Sequence, residues 1–114
     1  MTTLQERTKA RSKFTRASRA VDAAFQETRI VREAIEKRMQ TLRDAWENVQ
    51  ERHDDHVSEI TDQSQATHEE IWLEEIKKTF LQQESRVDCY IDQEEELKQQ
   101  EREREDQAKE EQKE

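Results

Sequence analysis

The chain contains no glycine and no proline in 114 residues. Average usage would supply about eight of the first and about six of the second. Glycine provides the positive φ that tight turns need, and proline pre-sets turn geometry and stops helices. Without them, hairpin-rich sheets, phosphate-cradling glycine loops and nucleophile elbows are excluded as architectures. What remains is rich in Glu, Gln, Lys, Arg and Ala, which all favour helix. Hydrophobic residues make up 30% and charged residues 43% of the chain. That is too little apolar surface for a thick core, but enough for a seam between two or three long helices. Disorder is the competing reading of such a composition, and periodicity decides against it everywhere except the C-terminal end.

The apolar positions follow one line for some fifty residues. Ala10, Phe14, Ala17, Val21, Ala24, Thr28, Val31 and Ile35 alternate in steps of four and three, and Met39, Leu42, Trp46, Val49, His53, His56 and Ile60 continue the alternation. The step from Ile35 to Met39 repeats a four, a stutter that locally unwinds a supercoil without ending a helix. A second line runs through Leu73, Ile76, Phe80, Gln83, Val87, Tyr90, Glu94 and Leu97. Sustained spacing near 3.5 residues implies packed helices. Phe25 and Ile30 lie beside the first line and widen it, which suits a three-helix bundle better than a two-stranded coil. Thr3 with Glu6 and Thr67 with Glu70 have the spacing of capping boxes, and Thr61–Gln65 between the two lines is polar and poor in helix formers. These features predict an all-α fold, either a long antiparallel helical hairpin or a three-helix bundle with coiled-coil packing. One helical segment covers residues 3–61, the turn falls near 62–66, and a second helix covers 67–110. A break near 26–29 would convert the hairpin into the three-helix form. An unbroken helix over these 59 residues would be about 88 Å long, so the segment either breaks or dimerises. Residues 1–93 form the packed unit, and 94–114 form a charged, solvated helix or linker.

In the hairpin geometry, residues whose numbers sum to about 126 face each other, so Trp46 faces the region of Phe80 and Trp72 the region of Asp54. The expected packing set is Phe14, Val21, Val31, Ile35, Met39, Leu42, Trp46, Val49, Ile60, Trp72, Leu73, Ile76, Phe80, Val87 and Tyr90. Charge is unevenly placed. Met1–Ala20 carries six basic residues, Arg7, Lys9, Arg11, Lys13, Arg16 and Arg19, against one acid, whereas His53–Glu114 carries eight basic and 21 acidic residues. The structural reading sets a basic first helix against an acidic last one, which fixes orientation more than it adds stability. The functional alternative is a basic patch for nucleic acid or an anionic membrane.

Little in the chain points to catalysis. His53 and His56 are spaced i,i+3 and share a helix face, so they are candidate zinc ligands that lack a complete ligand set. Both also fall on the apolar line, where a histidine is more often a packing residue. His68-Glu69-Glu70-Ile71-Trp72 begins like the zinc-protease pattern, but Trp72 stands where the second histidine must be. Carboxylate pairs abound in the C-terminal half, yet general acid–base work needs a dry cleft, and a thin rod offers none. Cys89 is the single cysteine and has no histidine near it in sequence, so it reads as a packing residue in a reducing compartment. The sequence has no run of about 18 apolar residues and no N-terminal apolar signal segment. An intracellular, cytoplasmic protein with no enzymatic activity, cofactor or small-molecule substrate is expected.

The order of several motifs resembles a known family. Arg11-Ser12-Lys13-Phe14-Thr15-Arg16 is followed by Leu42-Arg43-Asp44-Ala45-Trp46-Glu47-Asn48-Val49 and His53, then by Trp72-Leu73-Glu74-Glu75-Ile76 and Tyr90-Ile91. This arrangement, over residues 7–91, resembles the N-terminal helical region of Gag-like proteins of LTR retroelements of the Pao/BEL type. The zinc-knuckle, protease and polymerase segments of such polyproteins have no counterpart in this sequence. The resemblance implies an assembly or scaffold role and transfers no catalytic residue. The expected partner is the chain itself or another helical protein, with weak contact to nucleic acid or anionic membrane as the alternative.

Overall fold

The computed structural model describes the backbone of residues 2–112 and the side chains of residues 5–110. It contains three helices: α1 (Thr2–Gln26), α2 (Arg32–Val57) and α3 (Gln63–Gln112). No strand occurs among the described residues, and the fold is all-α. The three helices pack as an antiparallel bundle in an elongated body of 79 × 24 × 17 Å.

The long N-terminal segment is not continuous. It breaks at residues 27–31, one residue beyond the lower edge of the anticipated interval, and the apparent stutter at Ile35–Met39 marks the start of a new helix. Thr28, Ile30 and Val31 supply the physical reason, because β-branched side chains lose χ1 freedom against the preceding helical turn. Val31 sits at the N-cap with extended backbone, φ −110° and ψ 123°, and receives the first helical bond, from the Ile35 amide at 3.1 Å. The second turn lies at residues 58–62 instead of 62–66. Asp62 sets this position: its Oδ1 accepts a hydrogen bond from the Ser64 amide at 3.0 Å, and its carbonyl accepts the Ala66 amide. An aspartate in that place satisfies one of the orphan amides at a helix start. Thr67 is therefore no cap; it lies inside α3, where its Oγ1 donates to the Gln63 carbonyl at 3.0 Å. Thr3 is already helical, and its side chain falls outside the described residues. No described residue has positive φ, so both turns are built without the conformation that glycine would have supplied.

The core is continuous along the bundle. Ala10, Phe14, Ala17 and Val21 from α1 meet Ile35, Met39, Leu42, Trp46 and Val49 from α2 and Ile76, Phe80 and Val87 from α3. The alanines on α1 let α2 approach closely, and these two helices form the most extensive contact in the bundle. Trp46 is the keystone of the middle layer. Its ring stacks on Phe80 at 5.5 Å and 14°, and Phe14 tilts against its other side at 6.2 Å. One layer along, Trp72 stacks on His53 at 5.9 Å. Both pairings follow the hairpin register read from the sequence. Trp72, Leu73 and Tyr90 are half-buried against the core. Two of the expected packing residues do not belong to it: Val31 is 48% exposed and Ile60 is half-buried, because both fall in the linkers.

Helix α3 outlasts the bundle. Among the described residues, its last ion pairs to another helix join Glu94 and Glu95 to Arg32, the first residue of α2. Residues 96–112 continue as helix over about 25 Å at 1.5 Å per residue. Leu97 in this projecting end is 61% exposed.

Candidate functional site

Three regions of the rod carry polar or apolar groups that the core does not explain. The first is a polar cluster at the end of the bundle where α1 begins, α2 ends and α3 begins. Arg7 pairs with Glu69 at 3.0 Å, with the two side chains only 12% and 16% exposed, and the guanidinium lies over the Trp72 ring at 4.1 Å. His56 Nε2 approaches the same carboxylate at 3.5 Å. His53, 5% exposed, is held between Trp72 and the core. Burial pushes its pKa below the ordinary histidine value, against the smaller opposing pull of Glu69 and Asp54. Among the described residues, Nδ1 of both these histidines and Nε of Arg7 have no hydrogen-bond partner. The i,i+3 histidines thus share a face, but one ring is stacked on an indole and the other points at an arginine-bound carboxylate. Among the described residues no three His, Cys, Asp or Glu side chains are grouped to hold a metal ion.

A second polar network crosses the middle of the bundle. The Gln83 amide donates to the Ser18 carbonyl at 3.2 Å, to Ser18 Oγ at 3.0 Å and to Asp22 Oδ1 at 2.8 Å. Arg86 donates to the same Asp22 oxygen at 2.8 Å and lies over the Phe25 ring. Gln83 and Ser18 are both buried, so the network fixes the register of α1 against α3 in the way buried polar groups do when fully paired. The glutamine reads in sequence only as a weak place in an apolar line. Its partners lie 61 to 65 residues away, and no local pattern signals them. The Tyr90 hydroxyl donates to Glu94 Oε2 at 2.8 Å. Burial, with that bond, raises the tyrosine pKa, while the hydrogen bonds from Tyr90 and Lys98 lower that of Glu94.

The third region is the outer surface, where charge separates by helix. On α1 the basic residues divide into two sets. Arg7 is half-buried against the Trp72 ring at 4.1 Å, and Arg11, though exposed, approaches the same ring at 5.7 Å. Lys9, Lys13, Arg16 and Arg19 are exposed, and among the described residues none of them has an ion-pair partner. Their spacing of four, three and three sets them along one side of the helix. On α3 the exposed stripe away from the core carries Ile71, 55% exposed, and Leu81, 48% exposed, with Glu74 and Lys78 between them. Cys89 is an exposed free thiol, contrary to its reading as a packing residue. The carboxylates of α3 are mostly solvated, and no described helix is long and apolar enough to cross a membrane. No family model, curated protein or solved structure matches this chain.

Proposed function

We propose that this protein is a non-enzymatic helical scaffold module that associates with further copies of itself. The observation that carries the reading is the mismatch of helix lengths. Two helices of 25 and 26 residues cover only the first two-thirds of a partner of 50 residues. A helix gains most of its stability from packing, not from propensity, so the projecting third of α3 is a surface suited to another helix. The assembly role implied by the resemblance to Gag-like helical regions points the same way. We place the protein in the cytoplasm, where Cys89 would stay a free thiol. Sedimentation equilibrium over a hundredfold concentration range tests the reading, with thermal melts on the same samples. The expected result is a dimer or higher species whose melting temperature rises with concentration. A monomer whose melting is independent of concentration overturns it.

A second reading, an adaptor that binds a helix of a different protein, is favoured by Ile71 and Leu81 on the outward stripe of α3. Substituting both by glutamate would abolish heterotypic binding and leave self-association through the projecting end intact.

A further inference from the structure

We infer that the projecting end of α3 docks along the basic outer face of α1 in a second copy of the chain, and that the exchange is reciprocal. The inference rests on the self-association reading and adds its interface.

The stripe of α3 that faces the bundle through Gln83, Val87, Tyr90 and Glu94 does not stop where the bundle stops. Beyond Leu97 the helical repeat keeps Glu101, Glu105 and Ala108 on the same side, in steps of four, four and three. Among the described residues, nothing of the same chain lies beside this face. Residues 96–112 carry seven carboxylates and four cations. Among the described residues, Glu101 and Glu105 have no ion-pair partner, whereas Glu94, just before, is engaged by Arg32, Lys98 and Tyr90.

The complementary surface is on α1. Lys9, Lys13, Arg16 and Arg19 line one side of that helix without an acidic partner among the described residues, while Ala10, Phe14, Ala17 and Val21 on the other side fill the core. The two faces match in length. Lys9 to Arg19 spans about 15 Å and Leu97 to Ala108 about 16 Å at 1.5 Å per residue. Opposite potentials of this kind select register and orientation at a helical interface.

A third feature fixes how the copies meet. The exposed aliphatics Ile30 (39%), Val31 (48%) and Leu97 (61%) belong to the same end of the bundle, since the Arg32 pairs tie the 27–31 linker to Glu94 and Glu95. An antiparallel twofold arrangement brings the two linkers to the centre and lays each projecting helix along the α1 of the other copy. Such an interface is isologous and closes at two copies. It covers these aliphatics from both chains. Ala20, Ala23 and Ala34, which line a shallow groove beside Val31, leave room for the approach.

The test is a charge exchange in the full-length chain. One variant combines Lys9→Glu, Lys13→Glu and Arg16→Glu; the other combines Glu101→Lys, Glu105→Lys and Asp106→Lys. All six positions are exposed, and circular dichroism checks that each variant keeps wild-type helicity. Each alone is expected to dimerise at least tenfold more weakly than wild type in sedimentation. An equimolar mixture is expected to regain the dimer, because both contacts of the mixed pair are then complementary. Zero-length carbodiimide coupling of mixed light and heavy-isotope wild-type chains gives an independent reading, with inter-chain links expected from Lys9 or Lys13 to Glu101 or Glu105. Dimers that persist undiminished in both variants, or inter-chain links confined to other positions, overturn the interface and leave self-association standing. A wild-type monomer at every concentration removes both. A monomer that instead binds RNA or phosphatidylserine vesicles through Lys9, Lys13 and Arg16 assigns the basic face to a polyanion and overturns the inference.

Discussion

Replacing Trp46 by alanine removes the centre of the bundle, and the geometry sets the size of the effect. The side chain is 8% exposed and lies between Phe80 at 5.5 Å and Phe14 at 6.2 Å. A buried tryptophan removes about 150–250 Å² from water. At about 25 cal/mol per Å² that gives an upper limit of about 4–6 kcal/mol. Measured losses for truncating large aromatic residues to alanine run at about 3–5 kcal/mol and include the cavity left behind. The two ring contacts fall within that sum, at about 0.5–1.5 kcal/mol each. A loss of about 4 kcal/mol is therefore expected, out of a total that for single domains is about 5–15 kcal/mol. For a bundle of this size it corresponds to a fall in melting temperature of about 15 °C or more. Urea and thermal denaturation followed by far-ultraviolet circular dichroism at fixed protein concentration measures it. Trp46→Phe, which keeps a stacked ring on Phe80, is expected to lose less than half as much. A loss below about 1 kcal/mol for the alanine variant would show that α2 and α3 do not meet in this register, and would refute the packing described here.

Four other outcomes are expected. The buried His53 has its pKa lowered, so the folded state resists protonation; its contribution is complete above the ordinary histidine value of 6.5 and is lost as pH falls below it. Denaturation midpoints of wild type should therefore drop between pH 7.5 and 5.5, and His53→Phe, which retains stacking on Trp72, should flatten that slope. Gln83→Ala leaves Ser18 and Asp22 without their shared donor and should reduce stability by about 1–3 kcal/mol in urea titrations, whereas exposed Gln82→Ala should change it little. Cys89, exposed and free, should react with a thiol reagent in the native protein as fast as it does in urea, and Cys89→Ser should melt with the wild type. Arg29→Gly in the first linker should lose about 0.5–1 kcal/mol, since no described residue has positive φ for glycine to relieve; a gain measured in urea would reveal strain there.

The residues that announced themselves in the sequence are those whose partners follow from periodicity. Absent glycine and proline confined the fold to helices, and heptad spacing picked out Phe14, Val21, Ile35, Met39, Leu42, Trp46, Val49, Phe80 and Val87, all buried. Once a turn near residue 63 was assumed, helix geometry alone brought Trp46 to Phe80. The turns themselves were harder to read. Thr61–Gln65 reads as one polar stretch, yet Asp62 caps α3 so that Gln63 is already helical. A capping-box spacing at Thr67 misleads because the same spacing recurs inside helices, where a threonine hydroxyl bonds the carbonyl four residues back. The break at 27–31 hides inside an unbroken heptad because Thr28 and Val31 keep the spacing while their β-branching weakens the helix. Least legible was the polar cluster of Arg7, Glu69 and His56. Arg7 looks like one more member of a basic patch, and only the register of α1 against α3, 62 residues apart, buries it on Trp72.

That register also bears on how charge is distributed. The α1 helix carries six basic and two acidic residues, and α3 seven basic and 16 acidic. Were the opposition of these helices resolved inside the bundle, their contacts would all run from an α1 cation to an α3 carboxylate. They do not. Arg7 pairs with Glu69, but Asp22 pairs with Arg86 in the opposite sense, and Glu6 is taken up by Arg52 of α2. Both described acids of α1 are thus engaged, and its cations are left in excess on the outer face. On α3 the excess of carboxylate lies on the solvated side and in the projecting end. Intramolecular packing uses charge in balanced pairs and leaves the imbalance unanswered. Exposed single pairs contribute at most about 1 kcal/mol to stability, so folding alone gives little reason for such a segregated surplus. A surplus of opposite sign on two surfaces of one chain is complementary between copies, and in the antiparallel dimer we propose it would steer the encounter and hold the register in which each projecting helix meets the α1 of the other.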